Sequence, residues 1–135
     1  MDLQERSVTI RPNSIRGLKT KGSHRTLPLS QRAAETLQEH RKGKEDGEAI
    51  FPKYVRPRGN DAASAMLMKR LRTIITDKKL TMHSLRHRIK DKLRNTGCPE
   101  AISMAIFGHG SNTVAANYGS GYALDVMRQQ MEKVW

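Results

Sequence analysis

Apolar and polar positions change their period along the chain. Val8 and Ile10 alternate with Thr9 and Arg11, the two-residue repeat of a half-buried strand. A second strand is predicted over Arg25-Thr26-Leu27-Pro28-Leu29, with Pro28, which has no N–H to donate, at an edge or a strand end. Between them Lys19-Thr20-Lys21-Gly22-Ser23 is polar and holds a turn glycine. The pair therefore reads as a β-hairpin with Lys19 and Lys21 near its tip.

From Ser30 onward the period is helical. Ser30 is a predicted N-cap, Ala33, Ala34, Leu37 and Arg41 trace one stripe, and Gly43 ends the helix in a charged loop. After the short apolar stretch Ala49–Pro52 and a basic Pro/Gly loop, Asn60 or Asp61 is placed to cap a second helix. Its predicted buried face is Met66, Leu67, Leu71, Ile74 and Ile75. A third helix, from His83 to about Thr96, is predicted to bury Leu85, Ile89 and Leu93 and to end with Gly97 at C′. Pro99 opens a short helix carrying Ile102 and Ile106 that stops at Gly108. A turn at Gly110-Ser111-Asn112 leads into a helix predicted to carry Tyr118. The last helix, from about Tyr122, sets Leu124, Met127, Met131 and Val134 on one face. The pattern gives an α+β fold, mainly helical, with a small antiparallel hairpin at the N-terminus.

Composition narrows the function. Lys and Arg total 25 against 13 acidic residues, a net charge of +12. Such a surplus favours a polyanionic partner, because neutralising phosphates releases condensed counterions. A basic but functionless solvated surface is the bland alternative. The length of 135 residues suits one domain with a real core. Cys98 is the single cysteine, which excludes an internal disulfide framework and a cysteine-based zinc cage. No apolar run approaches the roughly 20 residues of a membrane span, and the N-terminus has no secretory hydrophobic region. The expected location is the cytoplasm.

The chemistry is concentrated in three places: His83-Ser84-Leu85-Arg86-His87, Phe107-Gly108-His109, and Tyr118 nine residues beyond His109. At i and i+3, His83 and Arg86 share a helix face. A guanidinium fork can grip two non-bridging oxygens of a phosphodiester, and an imidazole can donate a hydrogen bond or move a proton near neutral pH. A tyrosine phenol is a suitable nucleophile, because the phenolate can be displaced again by a DNA hydroxyl. The phosphotyrosyl bond would conserve the energy of the broken one, so rejoining needs neither ATP nor a metal.

In these residues the chain resembles the tyrosine recombinases of the phage integrase type. Their signature is a His-x-x-Arg helix, then Leu-Gly-His, then a nucleophilic tyrosine about nine residues on. Here these are His83–Arg86, Phe107–His109 with Phe in place of Leu, and Tyr118. The segment LKTKGSHRTLPL is similar to the family's lysine-bearing hairpin, and the likeness covers essentially the whole chain. The resemblance implies that Arg86 clamps the scissile phosphate, and that His83 and His109 hydrogen-bond it or assist proton transfer. Tyr118 would attack and hold the 3′-phosphate, and Lys19 would protonate the leaving 5′-hydroxyl, with Lys21 the alternative. It also implies double-stranded DNA and further protomers in a synaptic complex as partners, in a phage or bacterial setting, and no cofactor.

The family uses another arginine, in an Arg-x-x-Glu-like segment on a helix before the hairpin. Neither Arg6 nor Arg11 has that setting, so residues 1–135 read as a partial catalytic domain, expected to bind DNA but to cleave it poorly alone. A type IB topoisomerase-like enzyme and a non-cutting DNA-binding remnant are the other readings. His87, Arg88, Lys90 and Arg94, in a basic run with Lys92, are expected to contact the DNA backbone. His83 and His87 at i, i+4 lack the glutamate of a zinc-peptidase helix and an obvious third ligand. Tyr54 and Tyr122 are the other tyrosines; the spacing from His109 favours Tyr118.

Overall fold

The structure, a computed structural model, describes residues 1–15, 17–18, 23–109 and 121–135. Tyr118, Lys19, Lys21, and the turn and helix predicted around Tyr118 lie outside the described residues. Among the described residues two strands, β1 (Ser7–Ile10) and β2 (Arg25–Pro28), are followed by five helices: α1 (Gln31–Arg41), α2 (Gly59–Arg72), α3 (Met82–Asn95), α4 (Glu100–Phe107) and α5 (Leu124–Glu132). A 3-10 turn at Pro52–Tyr54 precedes α2. This is the predicted fold class, mainly helical with a two-stranded antiparallel sheet at the front. No described helix is long and apolar enough to cross a membrane.

The strands pair Ser7 with Pro28 through Ile10 with Arg25. Pro28 closes β2, where its missing N–H costs no ladder bond. Thr9 and Thr26 face each other on the exposed side, their hydroxyls 2.9 Å apart. Val8, Ile10, Arg25 and Leu27 are half-buried on the other face, and the end pair Ser7 and Pro28 is buried. Ahead of β1, the backbones of Asp2 and Ser7 exchange bonds of 3.0 and 2.7 Å, with Arg6 at a φ of 44° between them. Arg128 of α5 secures this loop by donating to the Glu5 carbonyl at 2.7 Å.

The core gathers Leu93 of α3, Ile102, Ile106 and Phe107 of α4, and Met127 and Val134 at the C-terminal end. Leu27, Ile89, Cys98, Leu124 and Met131 close around it. The stripe read along the last helix is thus its buried face, packed on β2, although the helix begins at Leu124 rather than at Tyr122. Ser30 caps α1 as predicted, its Oγ accepting from Ala33 N at 3.2 Å, and Ala34 is the buried residue of that helix.

Three expectations need correction. The second helix starts earlier than either cap proposed at Asn60 or Asp61: it opens at Gly59, preceded by Arg58 at a left-handed φ of 58°. The chain makes this entry because Gly59 lies under the preceding turn, where a Cβ would fall 1.9 Å from the Tyr54 carbonyl oxygen. The inward set is Met68 and Leu71 of α2 with Ile75 just beyond its end, while Met66, Leu67 and Ile74 are exposed. The i, i+3, i+7 set is the one turned to α3, and Met82 N–H meets Met68 Sδ there. Leu85 is also exposed, at 47%, and lines an open groove of about 720 Å3 between α2 and α3 with Leu71, Ile75 and Leu80. On α3 the inward set is Arg86, Ile89 and Leu93: a guanidinium occupies the register that apolar counting had given to Leu85.

Candidate active site

The site is built on the C-terminal end of α4. A helix leaves its last four carbonyls without intrahelical donors, and its dipole makes that end negative. Gly108, at a φ of 67°, turns the chain back so that its own N–H reaches Ala105 O at 3.1 Å. His109 N–H then reaches Met104 O at 2.9 Å. Two carbonyls remain, and each receives a guanidinium. Arg25 Nε donates to Ile106 O at 3.0 Å, and Arg86 Nη2 donates to Phe107 O at 2.7 Å. All four terminal acceptors are thereby satisfied, two by the backbone turn and two by arginines from β2 and α3.

Arg86 is held in three further ways. Its Cζ lies 4.6 Å from the centroid of the Phe107 ring, a cation–π contact. Its Nη2 also meets His109 Nε2 at 3.0 Å. Its backbone position follows from the start of α3, where Ser84 Oγ accepts from Thr81 N–H at 3.0 Å and Ser84 N–H donates to Thr81 O at 2.9 Å. The serine inside His83-Ser84-Leu85-Arg86 therefore fixes the helix entry that sets the direction of its neighbours. Phe107 keeps the apolar contact its position requires, being 7% exposed, and adds a flat platform for the guanidinium.

A guanidinium has only donors, so in the Arg86–His109 contact Nε2 is the acceptor and a neutral ring carries its proton on Nδ1. The electrostatics agree. Partial desolvation, then the charges of Arg86, Lys90 and Arg25, hold His109 below the ordinary imidazole value. Arg25 is likewise lowered, by its burial first and by Arg86 second.

The proposed site residues distribute unevenly. Arg86 and His109, 23 residues apart in sequence, are in direct contact. His83 is exposed one turn before Arg86, its ring edge-on to His87 with centroids 4.9 Å apart. Lys90 and Arg94 follow on the same side of α3, Lys90 close enough to act on His109 and Arg94 paired with Asp91 at 3.2 Å. Arg88 is two positions from Arg86, roughly 200° around the helix, and lines the α2–α3 groove. Lys92 of the same basic run is turned inward, its Nζ donating to Val134 O at 2.9 Å. Among the described residues no three His, Cys, Asp or Glu side chains converge as metal ligands would.

Arg25 is the residue that sequence reasoning passed over. Its signal was present: within β2 it alternates in step with Leu27, so a charged side chain occupies a core-facing register. Arg72 was missed too, for a structural task. It donates to the carbonyls of Asp77, Lys78 and Leu80 at 2.7, 3.1 and 2.8 Å, and so clamps the connector between α2 and α3.

No curated protein and no solved structure matches the chain. Residues 1–123, a span that holds the hairpin, both motif segments of the Arg86–His109 site and Tyr118, match the model of the phage integrase family. With nine-tenths of its length so matched and with the predicted fold class in place, the chain belongs to the phage integrase family of tyrosine recombinases.

Proposed function

We propose that this chain carries the catalytic residues of a site-specific recombinase that cuts and rejoins double-stranded DNA through Tyr118. The observation that supports this reading is the contact of Arg86 with His109, two polar residues from separate motif segments meeting at one helix end. Arg86 grips the non-bridging oxygens of the scissile phosphate, while His109 and His83 hydrogen-bond it or relay a proton. The Tyr118 phenolic oxygen attacks phosphorus, the bond to the 5′-oxygen breaks, and the phenolic proton passes to the histidine side of the site. Lys19, with Lys21 as the alternative, delivers a proton to the departing 5′-hydroxyl. In the return step a 5′-hydroxyl attacks the phosphotyrosine and the phenol leaves, so no metal or nucleotide is consumed. His87, Arg88, Lys90 and Arg94 track the DNA backbone, and other recombinase protomers complete a synaptic complex on DNA in the cytoplasm. Residues 1–135 alone bind DNA and form the covalent adduct slowly.

The test is capture of a nicked suicide substrate, read as a protein–DNA adduct on a denaturing gel. Tyr118→Phe is expected to abolish the adduct, and Tyr122→Phe to preserve it. Adduct persisting in Tyr118→Phe and lost in Tyr122→Phe would overturn the assignment.

A further inference from the structure

Arg25 and Arg86 reach the end of α4 from different elements, β2 and α3, and settle on consecutive carbonyls, Ile106 O and Phe107 O. Carbonyl bonds satisfy donors but do not neutralise charge. Among the described residues neither guanidinium makes an ion pair with a carboxylate, whereas Arg6, Arg41, Arg58, Arg94 and Arg128 all do. Two half-buried cations side by side, with Lys90 acting on the same spot, are an unbalanced arrangement that an arriving anion would balance. Arg25 is also tied down at its other end, its Nη1 donating to Ser23 O at 3.0 Å. One planar group thus bridges the base of the hairpin and the last turn of α4, which a lysine ammonium cannot do with the same geometry.

We propose that Arg25 is a further residue of the phosphate site: it locks the last turn of α4 to β2, keeping the Phe107 carbonyl and His109 in register with Arg86, and it sets a second guanidinium charge beside Arg86. The proposal rests on the integrase reading above for the identity of the anion, a DNA phosphodiester. Arg25 acts through its neighbours and is a positioning residue. The groups facing His109 are Arg86 and Lys90 from α3 and Arg25 from β2, and removing one of these three charges is therefore readable in the His109 ring itself.

The experiment follows the His109 imidazole by NMR in the 135-residue chain, during a pH titration and during addition of inorganic phosphate at constant ionic strength. Arg25→Gln is expected to raise the pH at which His109 titrates and to weaken phosphate binding at that resonance by about tenfold, the scale of one charged hydrogen bond. Arg25→Lys keeps the charge but not the bridge, so His109 should titrate nearly as in the parent while phosphate binding still weakens, by about threefold. Lys42→Gln makes the same charge change at the end of α1 and should alter neither reading. If folded Arg25→Gln gave the parent titration and the parent phosphate affinity, the proposal would be overturned. If that variant did not fold, Arg25→Lys decides, and unchanged phosphate binding there overturns it equally. Neither measurement needs covalent chemistry, so the proposal survives a failure to capture DNA through Tyr118. Conversely, parent rates of Tyr118 adduct formation in Arg25→Gln would sink it and leave the integrase reading intact.

Discussion

At Arg86 three attractions act on one side chain: the Phe107 carbonyl, the Phe107 ring and His109 Nε2. Each depends on the planar, delocalised guanidinium, so Arg86→Lys should cost more than conserved charge suggests. Lysine offers neither a two-pronged donor to phosphate oxygens nor a flat face to the ring. Loss of a transition-state contact of this type costs a hundredfold or more in rate, about 2.7–4 kcal/mol. Single-turnover cleavage should show that loss while affinity for uncut DNA barely moves, and parental cleavage by Arg86→Lys would reduce Arg86 to a structural role. His109 supplies a second, pH-dependent prediction. Its folded value is depressed, so as pH falls the unfolded imidazole takes up its proton before the folded one does. The stability contributed by the neutral ring is present above the ordinary imidazole value and is lost as pH falls through the folded one. The urea midpoint of the parent should therefore fall toward that of His109→Gln between about pH 7.5 and 5. A difference between the two that is constant over this range would mean that the ring titrates as it does in the unfolded chain.

At the scale of elements, α3 shows what periodicity can and cannot deliver. Leu85, Ile89 and Leu93 repeat every four residues, and counting apolar positions gives all three to the core. In the fold Leu93 is fully buried, Ile89 packs beside it, and Leu85 is 47% exposed in the groove toward α2. The reason is helix geometry: at 3.6 residues per turn Leu85 lies about 80° around the helix from Leu93 and Arg86 only about 20°, so the guanidinium, not Leu85, faces α4. Replacing each leucine by alanine measures this directly. Leu93→Ala should cost about 2–5 kcal/mol, as a fully enclosed side chain does, and Leu85→Ala under about 1 kcal/mol. Equal losses at the two positions in urea unfolding would contradict the exposed placement of Leu85. Helix ends, by contrast, were legible before the fold was seen. The glycines after α3 and α4 are the cheapest residues at positive φ, and Gly97 and Gly108 stop their helices at 72° and 67°. The strand pair and the stripe of α5 were legible for a like reason, since alternation and the Leu124-Met127-Met131-Val134 spacing have one satisfactory burial each. The start of α2 was not, because it depends on a backbone approach between Tyr54 and Gly59 that no side-chain pattern announces. Arg25 escaped for the same kind of reason: its partner on α4 is a carbonyl 81 residues away, and carbonyls leave no mark in a sequence.

Over the described residues some charges are paired locally and others are not. The loop after α1 neutralises itself, with Arg41 and Lys44 paired to Asp46 and Glu48, and Lys42 bridges to Glu39 at the helix end. Along α3 the sequence MHSLRHRIKDKLRN has a single acid, Asp91, which pairs with Arg94. Arg86 and Lys90 of α3 and Arg25 of β2 act together on His109, and among the described residues none of the three pairs with a carboxylate. Binding to duplex DNA should be dominated by phosphate contacts and should weaken steeply with salt, each contact contributing about −0.9 to the slope of log K against log[salt]. Lys90→Gln should reduce the steepness by about one unit and weaken all sequences alike, because a phosphate contact carries no base information. Lys42→Gln, an equal change of net charge at an already paired position, should leave the slope near the parental value. The two variants separate local from global electrostatics: if net charge alone governed binding, they would behave identically. Fluorescence anisotropy on a short duplex, titrated between about 50 and 200 mM salt, reads both slopes. A flat parental response, or equal slopes for the two variants, would remove DNA tracking from the face of α3 that carries Arg86 and Lys90.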